Sequence, residues 1–307
     1  MSSTDTKISA AGAGAAGAAQ TARKPDWLKV AIPASEGSRM MTRLVGRRGL
    51  HTVCDSARCP NKAECWGCGT ATFMILGDTC TRNCRFCAVP TGKRGDEPNP
   101  DEPRQLAEAI AELGLRYAVL TSVDRDDLPD RGAGHFAACV RAIKAANPGV
   151  RVEVLTPDYR EGEIELILAE GPDALDHNIE TVPRLQGVRD ARAGYGKSLH
   201  TLELAAAWSP GRPAVVKSSL LLGLGESRDE VLASMDDLRA AGCDAVVLGQ
   251  YLRPTGAQVP VVEYVHPDAF AAYAESARER GFAAVVAGPL ARTSYHARQA
   301  FGEGTPA

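Results

Sequence analysis

The stretch ATFMILGDTCTRNCRFC, residues 71–87, joins a short apolar run to three closely spaced cysteines. The run Ala71–Leu76 is typical of a buried β-strand. The spacing Cys80-x3-Cys84-x2-Cys87, called the loop triplet below, puts three thiols on one tight loop directly after that strand. The sequence therefore predicts a metal site with three protein ligands at the end of the first strand.

Two kinds of metal site have to be weighed for the loop triplet. A [4Fe–4S] cluster takes one ligand per iron, so three cysteines leave one iron open to an external ligand. A structural zinc site would have to borrow a fourth ligand, and zinc sites favour two short-spaced pairs of ligands. No matching cysteine or histidine pair follows the loop triplet. The spacing therefore favours an iron–sulfur cluster.

A looser group of cysteines precedes the first strand. The spacing Cys54-x4-Cys59-x5-Cys65, called the N-terminal triplet below, also lacks an adjacent fourth ligand, although Cys68 could supply one. The alternative for Cys68 is an incidental thiol in the turn that follows Trp66, and we favour this interpretation. Two incomplete thiolate sites predict two clusters.

The use of cysteine also indicates the redox environment. Seven of the nine cysteines lie within residues 54–87 of this 307-residue chain. Without a secretory signal, such clustering favours metal binding over disulfides. The other two, Cys139 and Cys243, fall in or at the end of helical patterns, and we expect them to be small buried hydrophobic residues.

After the cysteines, strand-like and helix-like stretches alternate. The predicted strands are Ala71–Leu76, Tyr117–Ser122, Val150–Leu155, Ala174–Ile179, Ala214–Leu222 and Asp244–Tyr251, followed at the end by the short apolar run Phe282–Ala287. The predicted helices are Pro103–Leu113, Phe136–Ala146, Glu163–Glu170, Lys197–Trp208, Ser227–Ala241 and Pro267–Arg280. Repeated β-then-α units predict parallel strands with helices outside them.

An open doubly wound sheet and a barrel both satisfy this alternation. A barrel gathers its functional groups at the carboxyl ends of the strands. Polar residues lie at the ends of most of the predicted strands, namely Ser122 and Asp124, Glu153 and Thr156, His177, Asn178 and Glu180, and Gln250 and Arg253. This distribution favours an α/β fold of the partial (β/α)6 TIM-barrel type, with the loop triplet on the same face.

Composition and charge exclude some classes of function. Charged residues make up 24% and hydrophobic residues 44%, as in an ordinary globular protein. A formal net charge of -3 gives no broad footprint for nucleic acid, and no apolar run reaches the roughly 18 residues of a membrane helix. Residues 1–24, rich in Ala and Gly, are expected to be a disordered tail rather than a targeting segment. These features predict a cytoplasmic protein.

The details of these motifs resemble those of the lipoyl synthases, a family of radical S-adenosylmethionine (SAM) enzymes. The stretch Gly77–Cys87 is similar to the CxxxCxxC signature of that superfamily, and the resemblance covers about residues 25–300. The similar stretches are HTVC (51–54), CPN (59–61), ECW (64–66), ATFM (71–74), TSVDRDDL (121–128), HNIETVPR (177–184), QYLRP (250–254) and RTSY (292–295). Two triplets together with the RTSY tail are specific, because most radical SAM enzymes have one triplet.

The resemblance implies a division of the chain and a set of cofactors. Residues 70–287 would form the radical SAM partial barrel. Residues 25–69 would be an N-terminal extension with the auxiliary cluster cysteines, and residues 288–307 would close that cluster. The cofactors would be SAM and two [4Fe–4S] clusters.

The resemblance also implies roles for individual residues. Cys80, Cys84 and Cys87 would be the catalytic triplet, holding the cluster whose open iron binds the amine and carboxylate of SAM. Phe86 would lie near the adenine. The other expected cofactor contacts are Ser122, Asp124, Asn178 and Glu180, for each of which the alternative is a hydrogen-bonded residue capping a strand or helix. The ligands of the auxiliary cluster would be Cys54, Cys59, Cys65 and Ser294.

The implied reaction inserts two sulfur atoms at C6 and C8 of an octanoyl chain amide-linked to a lysine of a carrier protein. Those carbons carry unactivated hydrogens, so the difficult chemistry must come from a cofactor. The implied partners are octanoylated carriers, either the lipoyl domain of a dehydrogenase complex or the glycine-cleavage H protein. A low-potential flavodoxin or ferredoxin would supply electrons, and no nucleic acid or membrane partner is expected.

Two other functions remain as alternatives. One is a different sulfur-inserting radical enzyme of the RNA methylthiotransferase kind, which the acidic net charge disfavours. The other is a non-catalytic iron–sulfur electron carrier or a zinc-stabilised barrel. An electron carrier would not need the roughly 200 residues that follow the cysteines.

The chain departs from the family pattern at a few positions. The family usually has Ser where Thr293 stands, Gly where Arg131 and Ser219 stand, and a His pair where Ala257-Gln258 stand. The metal ligands are intact, so these departures concern substrate contacts and efficiency. A specialised homologue with a shifted substrate is therefore a further alternative.

Overall fold

The computed structural model describes residues 23–29, 36–57, 59–67, 70–209 and 211–294. Nearly all of the predicted N-terminal tail, Cys68 and every residue after Ser294 lie outside these ranges. The predictions for the tail and for Cys68 therefore stay predictions.

The described residues form one sheet of eight strands in sequential order. Its strands are β1 (His51–Thr52), β2 (Thr70–Ile75), β3 (Tyr117–Ser122), β4 (Arg151–Leu155), β5 (Ala174–Asp176), β6 (Val215–Leu222), β7 (Ala245–Gln250) and β8 (Ala284–Gly288). Strand β1 pairs antiparallel with β2, and β2 to β8 are parallel to one another. Within the described ranges β1 and β8 form no ladder with each other, so the sheet is open.

Helices connect the parallel strands and pack on the sheet and on one another. They are α1 (Glu36–Arg48), α2 (Val53–Ser56), α3 (Lys62–Gly67), α4 (Glu102–Glu112), α5 (Ala133–Ala146), α6 (Glu163–Leu168), α7 (Tyr195–Ala207), α8 (Arg228–Ala240) and α9 (Pro267–Glu279). Short 3-10 turns occur at Asp26–Leu28 and Pro183–Val188. None of the described helices combines the length and the apolar character needed to cross a membrane.

The predicted strands and helices match the structure closely. The six predicted strands are β2 to β7, and the short run near residue 284 forms β8. Helix α8 begins with a capping box, in which Ser227 accepts from the Glu230 amide and Glu230 accepts from the Ser227 amide. Strand β5 ends at Asp176, earlier than predicted, and the chain pairs with β6 again at Glu180, whose φ is 65°.

A buried polar layer crosses the inside of the sheet. Lys217 on β6 donates to Glu153 on β4 over 2.9 Å and lies 3.5 Å from Asp176 on β5. Tyr117 on β3 donates to the other oxygen of Glu153. Burial acts to lower the pKa of Lys217, but the two carboxylates outweigh it and the pKa is raised. The ammonium is therefore charged inside the protein, where it needs these partners.

The position of Glu153 differs from the sequence-based expectation. We expected Glu153 among the polar residues at the strand ends, but it lies in the middle of β4 and is 0% exposed. Its carboxylate is used by Lys217 and Tyr117. Cys139 and Cys243 are both 0% exposed, which confirms the prediction that they are buried.

Gly223, just after β6, offers a test of how tightly the sheet end is packed. Its φ is 98°, and a Cβ there would overlap the Gln250 side chain and the Glu263 carbonyl. We expect Gly223→Ala to lower the free energy of unfolding by about 2–5 kcal/mol, from backbone strain plus overpacking. Urea unfolding followed by circular dichroism measures this change.

A matched control for this substitution is two residues away. Gly225 has a φ of 108°, but the nearest atoms to its Cβ would be Val262 methyls at 3.8 Å, an ordinary contact. Gly225→Ala should therefore show the backbone cost alone, about 1–3 kcal/mol. Equal losses in the two variants would contradict the steric argument at Gly223.

Candidate active site

The loop that carries the loop triplet starts with two left-handed residues. Leu76 and Gly77 have φ values of 67° and 86°, which turn the chain sharply at the end of β2. A left-handed leucine is costly, so its surroundings must hold it. Glu102 accepts from the Leu76 amide over 3.1 Å, and His135 Nε2 lies 2.6 Å from the same carboxylate oxygen. Glu102 thus supports the start of the cysteine loop.

Three potential metal ligands meet at this support. Glu102, His135 and Cys139 place one ligand atom each within 4.8 Å of one another. The Glu102 oxygen already contacts an amide and an imidazole. We therefore interpret the group as the structural support of the Leu76 turn.

Backbone hydrogen bonds hold the cysteine loop over the carboxyl end of the sheet. The Thr81 amide donates to the Asp124 carbonyl over 2.8 Å, and the Arg85 amide donates to the Val188 carbonyl over 2.7 Å. Within the loop, the Cys80 amide donates to the Pro90 carbonyl over 2.9 Å. The loop triplet is therefore placed beside the segments that follow β3 and β5.

A cavity of about 280 Å³ opens at these strand ends. Its lining includes every residue of the loop triplet and every predicted cofactor contact, namely Cys80, Cys84, Cys87, Phe86, Ser122, Asp124, Asn178 and Glu180. These residues come from one loop and from the ends of β3 and β5. The structure thus brings eight predicted site residues to one cavity.

The thiols of the loop triplet are available as ligands. None of the eight described cysteines forms a disulfide. Burial raises the pKa of Cys80 and of Cys84 to about 12, and it also raises that of Cys87. The Arg82 amide points at Cys80 Sγ over 3.4 Å and the Asp190 amide at Cys84 Sγ over 3.3 Å. Metal must therefore displace thiol protons, and the sulfurs that result already have amide donors.

Two carboxyl groups give the cavity acidic walls. Burial is the main cause that raises the pKa of Asp124 and of Glu180, and nearby guanidinium groups act against it. Asp124 Oδ2 lies 3.7 Å from Cys80 Sγ. The two carboxyl groups can accept hydrogen bonds from amine or hydroxyl groups of a bound molecule.

Sequence reasoning missed the ion-pair network in the cavity wall. Asp158 receives a hydrogen bond from Arg82 Nη1 over 2.5 Å and one from Ser198 over 3.0 Å. Arg189 Nη2 and His177 Nε2 lie 3.3 and 3.1 Å from it. Burial acts to raise its pKa, but His177 and the two guanidinium groups hold the pKa of Asp158 well below its usual range.

The sequence contained partial signals of this network. Arg82 stands between two cysteines of the loop triplet, and Asp158 follows β4 by three residues. His177 is a polar residue at the end of a predicted strand. Nothing local in the sequence indicated that the three side chains meet.

The N-terminal triplet lies beside the C-terminal segment 288–294. Cys54, on α2, is 8% exposed, and the Cys59 amide donates to its carbonyl over 3.1 Å. The Asn61 side chain donates to the Leu290 carbonyl over 2.7 Å. Burial lowers the pKa of Arg292, against the charge of nearby Cys59. Two distant parts of the chain therefore meet at this triplet, and Ser294 is partly buried at the end of the segment.

The two triplets border the same space. Val53, the neighbour of Cys54, lines the cavity that holds the loop triplet. Thr293, the neighbour of Ser294, donates to the Asn178 side chain over 3.2 Å, and Asn178 also lines the cavity. The cavity is therefore flanked by the segments that carry the predicted auxiliary ligands.

Two of the positions that depart from the family pattern, Gln258 and Arg131, also lie near the site. Gln258 donates to the Cys87 carbonyl over 3.1 Å, so this position supports the cysteine loop. Arg131 has a φ of 53°, donates to the Asp158 carbonyl over 2.6 Å, and lines a second cavity of about 610 Å³.

The sequence is similar to those of known proteins over most of its length. A profile of the Radical SAM superfamily matches residues 74–238. The chain is 54% identical to the lipoyl synthase of Methylococcus capsulatus, with 90% of this chain and 86% of that protein covered. It is 53% identical to the lipoyl synthase of Thermus thermophilus, with 92% and 88% covered.

Solved structures show the same fold at low sequence identity. Methylornithine synthase PylB aligns with a TM-score of 0.53 and 12% identity, over 81% of both chains. Streptococcus suis SuiB with its precursor peptide SuiA aligns with a TM-score of 0.54 and 10% identity, over 86% of this chain and 54% of that chain. These likenesses concern the fold alone.

Proposed function

The chain belongs to the lipoyl synthase family of the radical SAM superfamily, and from this we propose which residues carry the reaction. As a member of that family it is a radical SAM sulfurtransferase with SAM and two [4Fe–4S] clusters as cofactors. The observation that carries the residue assignment is the single cavity lined by the loop triplet and by five predicted contacts.

The loop triplet is assigned to the cluster that binds SAM. Three thiols on a backbone-anchored loop, with none in a disulfide, suit a cluster with one open iron. When bound, this cluster supplies the electron that cleaves SAM. Phe86 offers an apolar surface for the adenine, and Ser122 and Asn178 offer neutral polar groups. Asp124 and Glu180 offer carboxylates that complement the positive charge of SAM.

The work of the protein groups is positioning and exclusion of water. The fourfold contact of Asp158 with Arg82, Arg189, His177 and Ser198 ties the cysteine loop to the rest of the cavity wall. A rigid wall holds the reacting groups close together, and a cavity recessed at the strand ends limits the access of solvent to a reactive radical.

The N-terminal triplet and Ser294 are assigned to the auxiliary cluster, the source of sulfur. The contact of Asn61 with Leu290 supports this assignment, since it brings the C-terminal segment to the triplet. A serine oxygen is a harder ligand than a thiolate and binds iron–sulfur clusters less firmly. Such a ligand suits a cluster that is consumed. The corresponding architecture is a partial (β/α)6 barrel with N- and C-terminal extensions that hold this cluster.

The proposed substrate is an octanoyl chain on a carrier-protein lysine, either of a dehydrogenase-complex lipoyl domain or of the glycine-cleavage H protein. The proposed electron donor is a flavodoxin or ferredoxin. We also propose a cytoplasmic location, which the clustering of seven cysteines within residues 54–87 supports, because such clustering favours metal binding over disulfides.

Metal analysis tests the assignment. We expect the anaerobically reconstituted protein to bind about eight irons, from two four-iron clusters, and to release 5′-deoxyadenosine from SAM in the presence of a reductant. Cys139→Ala and Cys243→Ala serve as controls and should keep all the iron, because both thiols are buried in the core and neither lines the cavity of the loop triplet. A protein that folds with stoichiometric zinc and no iron absorbance would contradict both cluster assignments.

A further inference from the structure

The C-terminal segment contacts the middle of β6 and the residue Asn178 after β5 through one residue, Thr293. Lys217 Nζ donates to the Thr293 carbonyl over 2.8 Å. The Thr293 hydroxyl donates to Asn178 Oδ1 over 3.2 Å and lies 3.1 Å from Ser219 Oγ. Thr293 is thus held through both its backbone and its side chain. Lys217, Asn178 and Ser219 are called the tail-binding group below.

The side chain of Lys217 is buried, and its ammonium group is surrounded by three acceptors. Its side chain is 3% exposed, and an ammonium has three N–H donors. Glu153 at 2.9 Å and Asp176 at 3.5 Å face two of them. The third is left for the Thr293 carbonyl. The buried ammonium of Lys217 therefore donates one of its hydrogen bonds to the C-terminal segment.

The bond to Thr293 acts directly on the next residue. The carbonyl of Thr293 and the amide of Ser294 belong to the same planar peptide unit. Holding the carbonyl oxygen sets the orientation of that plane. The plane in turn sets the direction of the Ser294 N–Cα bond, and so restricts where the Ser294 side chain can lie. We propose that the tail-binding group positions Ser294 for the auxiliary cluster, and this inference rests on the ligand assignment in the proposed function.

Other contacts seat the same segment. The Asn61 side chain binds the Leu290 carbonyl over 2.7 Å. A Cβ at Gly249 on β7 would overlap the Ala291 carbonyl, so the segment passes directly against the strand. These contacts hold residues 290 and 291, whereas the tail-binding group holds the residue next to Ser294.

Two unusual positions of this chain meet in the tail-binding contact. Thr293 and Ser219 both depart from the family pattern, and their hydroxyl oxygens lie 3.1 Å apart. A glycine in place of Ser219 has no group with which to make this bond. The Ser219 hydroxyl therefore adds one link between β6 and the C-terminal segment.

The first test compares Thr293→Val with Thr293→Ser. Valine has nearly the shape of threonine but no hydroxyl, whereas serine keeps the hydroxyl. Hydrogen exchange of a peptide spanning residues 288–294 should become about tenfold faster in Thr293→Val, from the loss of two neutral hydrogen bonds, and should stay near the original rate in Thr293→Ser. This readout does not depend on activity, and equal exchange in all three proteins would overturn the inference.

The second readout is the loss of auxiliary iron to a chelator. It uses full-length protein with Cys80, Cys84 and Cys87 replaced by Ala, so that all bound iron belongs to the auxiliary site. Thr293→Val should speed the loss about tenfold, towards the rate of Ser294→Ala, and Thr293→Ser should not. If Ser294→Ala speeds iron loss and Thr293→Val does not, the positioning role is wrong while the ligand assignment stands. If Ser294→Ala has no effect, the ligand assignment itself fails, and the inference with it.

The contribution of Lys217 needs its own variant, because Lys217→Met alone would leave two buried carboxylates unpaired. The triple variant Lys217→Met, Glu153→Gln and Asp176→Asn removes the charges together. If it folds, as judged by circular dichroism, we expect faster hydrogen exchange of residues 288–294 than in the original protein. Unchanged exchange in that folded variant would show that the lysine does not hold the segment.

Discussion

Replacing Cys54, Cys59 and Cys65 by Ala is expected to leave part of the 5′-deoxyadenosine formation and to abolish sulfur insertion. Replacing Cys80, Cys84 and Cys87 should abolish both. The loop triplet lines the cavity at the strand ends, where SAM is proposed to bind. The N-terminal triplet lies on and between the short helices before β2, outside the row of parallel strands. Removal of one triplet can therefore abolish one step of the reaction without abolishing the other.

Two measurements made on the same reaction check this prediction. Chromatography measures 5′-deoxyadenosine, and mass spectrometry measures sulfur addition to an octanoyl-lysyl peptide. Cys243→Ala is a control for the loss of a thiol, since this residue is 0% exposed in the core, and it should keep both products. Sulfur addition by the N-terminal triplet variant would show that the auxiliary cluster is not the sulfur donor.

Asp158→Asn is expected to lower the stability of the protein by about 3–5 kcal/mol, because it removes the buried carboxylate that Arg82, Arg189 and His177 share. Arg82 is 4% exposed and Arg189 has a side chain 7% exposed, so neither can turn to water without moving the cavity wall. For a chain of this size the loss corresponds to a fall in the thermal midpoint of roughly 5–8 °C. Thermal unfolding of the reconstituted protein, followed by circular dichroism, measures it.

The pH at which the two proteins should be compared follows from the direction in which the pKa of Asp158 is shifted. The folded-state pKa is depressed well below the unfolded value of about 3.9. The stabilisation is therefore fully present above that value and is lost only as the pH falls through the folded pKa. A comparison at pH 7 measures the whole contribution.

An exposed pair offers a matched control for Asp158. Asp236 accepts from Arg280 over 2.8 Å, but its side chain is 62% exposed. Asp236→Asn should change the stability by less than about 1 kcal/mol, since water replaces the lost partner. Similar midpoints for Asp158→Asn and Asp236→Asn would contradict the assignment of Asp158 as the centre of the buried network.

The sequence alone was sufficient for the order and type of the main elements. Strands β2 to β7 and the helices between them follow from apolar periodicity and from stop signals such as Gly242 after α8. The loop triplet was also recognisable, since ligand spacing within one loop is a local property. The polar residues that follow β3 and β5 were predicted at one face because parallel strands align their carboxyl ends.

The tertiary structure decided which side chains meet. Glu153 is an acidic residue in an apolar run, and only the sheet register shows that it faces Lys217 rather than the cavity. Asp158 meets Arg82, 76 positions away, and Lys217 meets Thr293 over the same separation. Periodicity and motif spacing report on neighbours along the chain, whereas these contacts depend on how strands and loops distant in sequence are registered against one another. For that physical reason the cysteine loop was predictable from the sequence, and the buried network and the binding of the C-terminal segment were not.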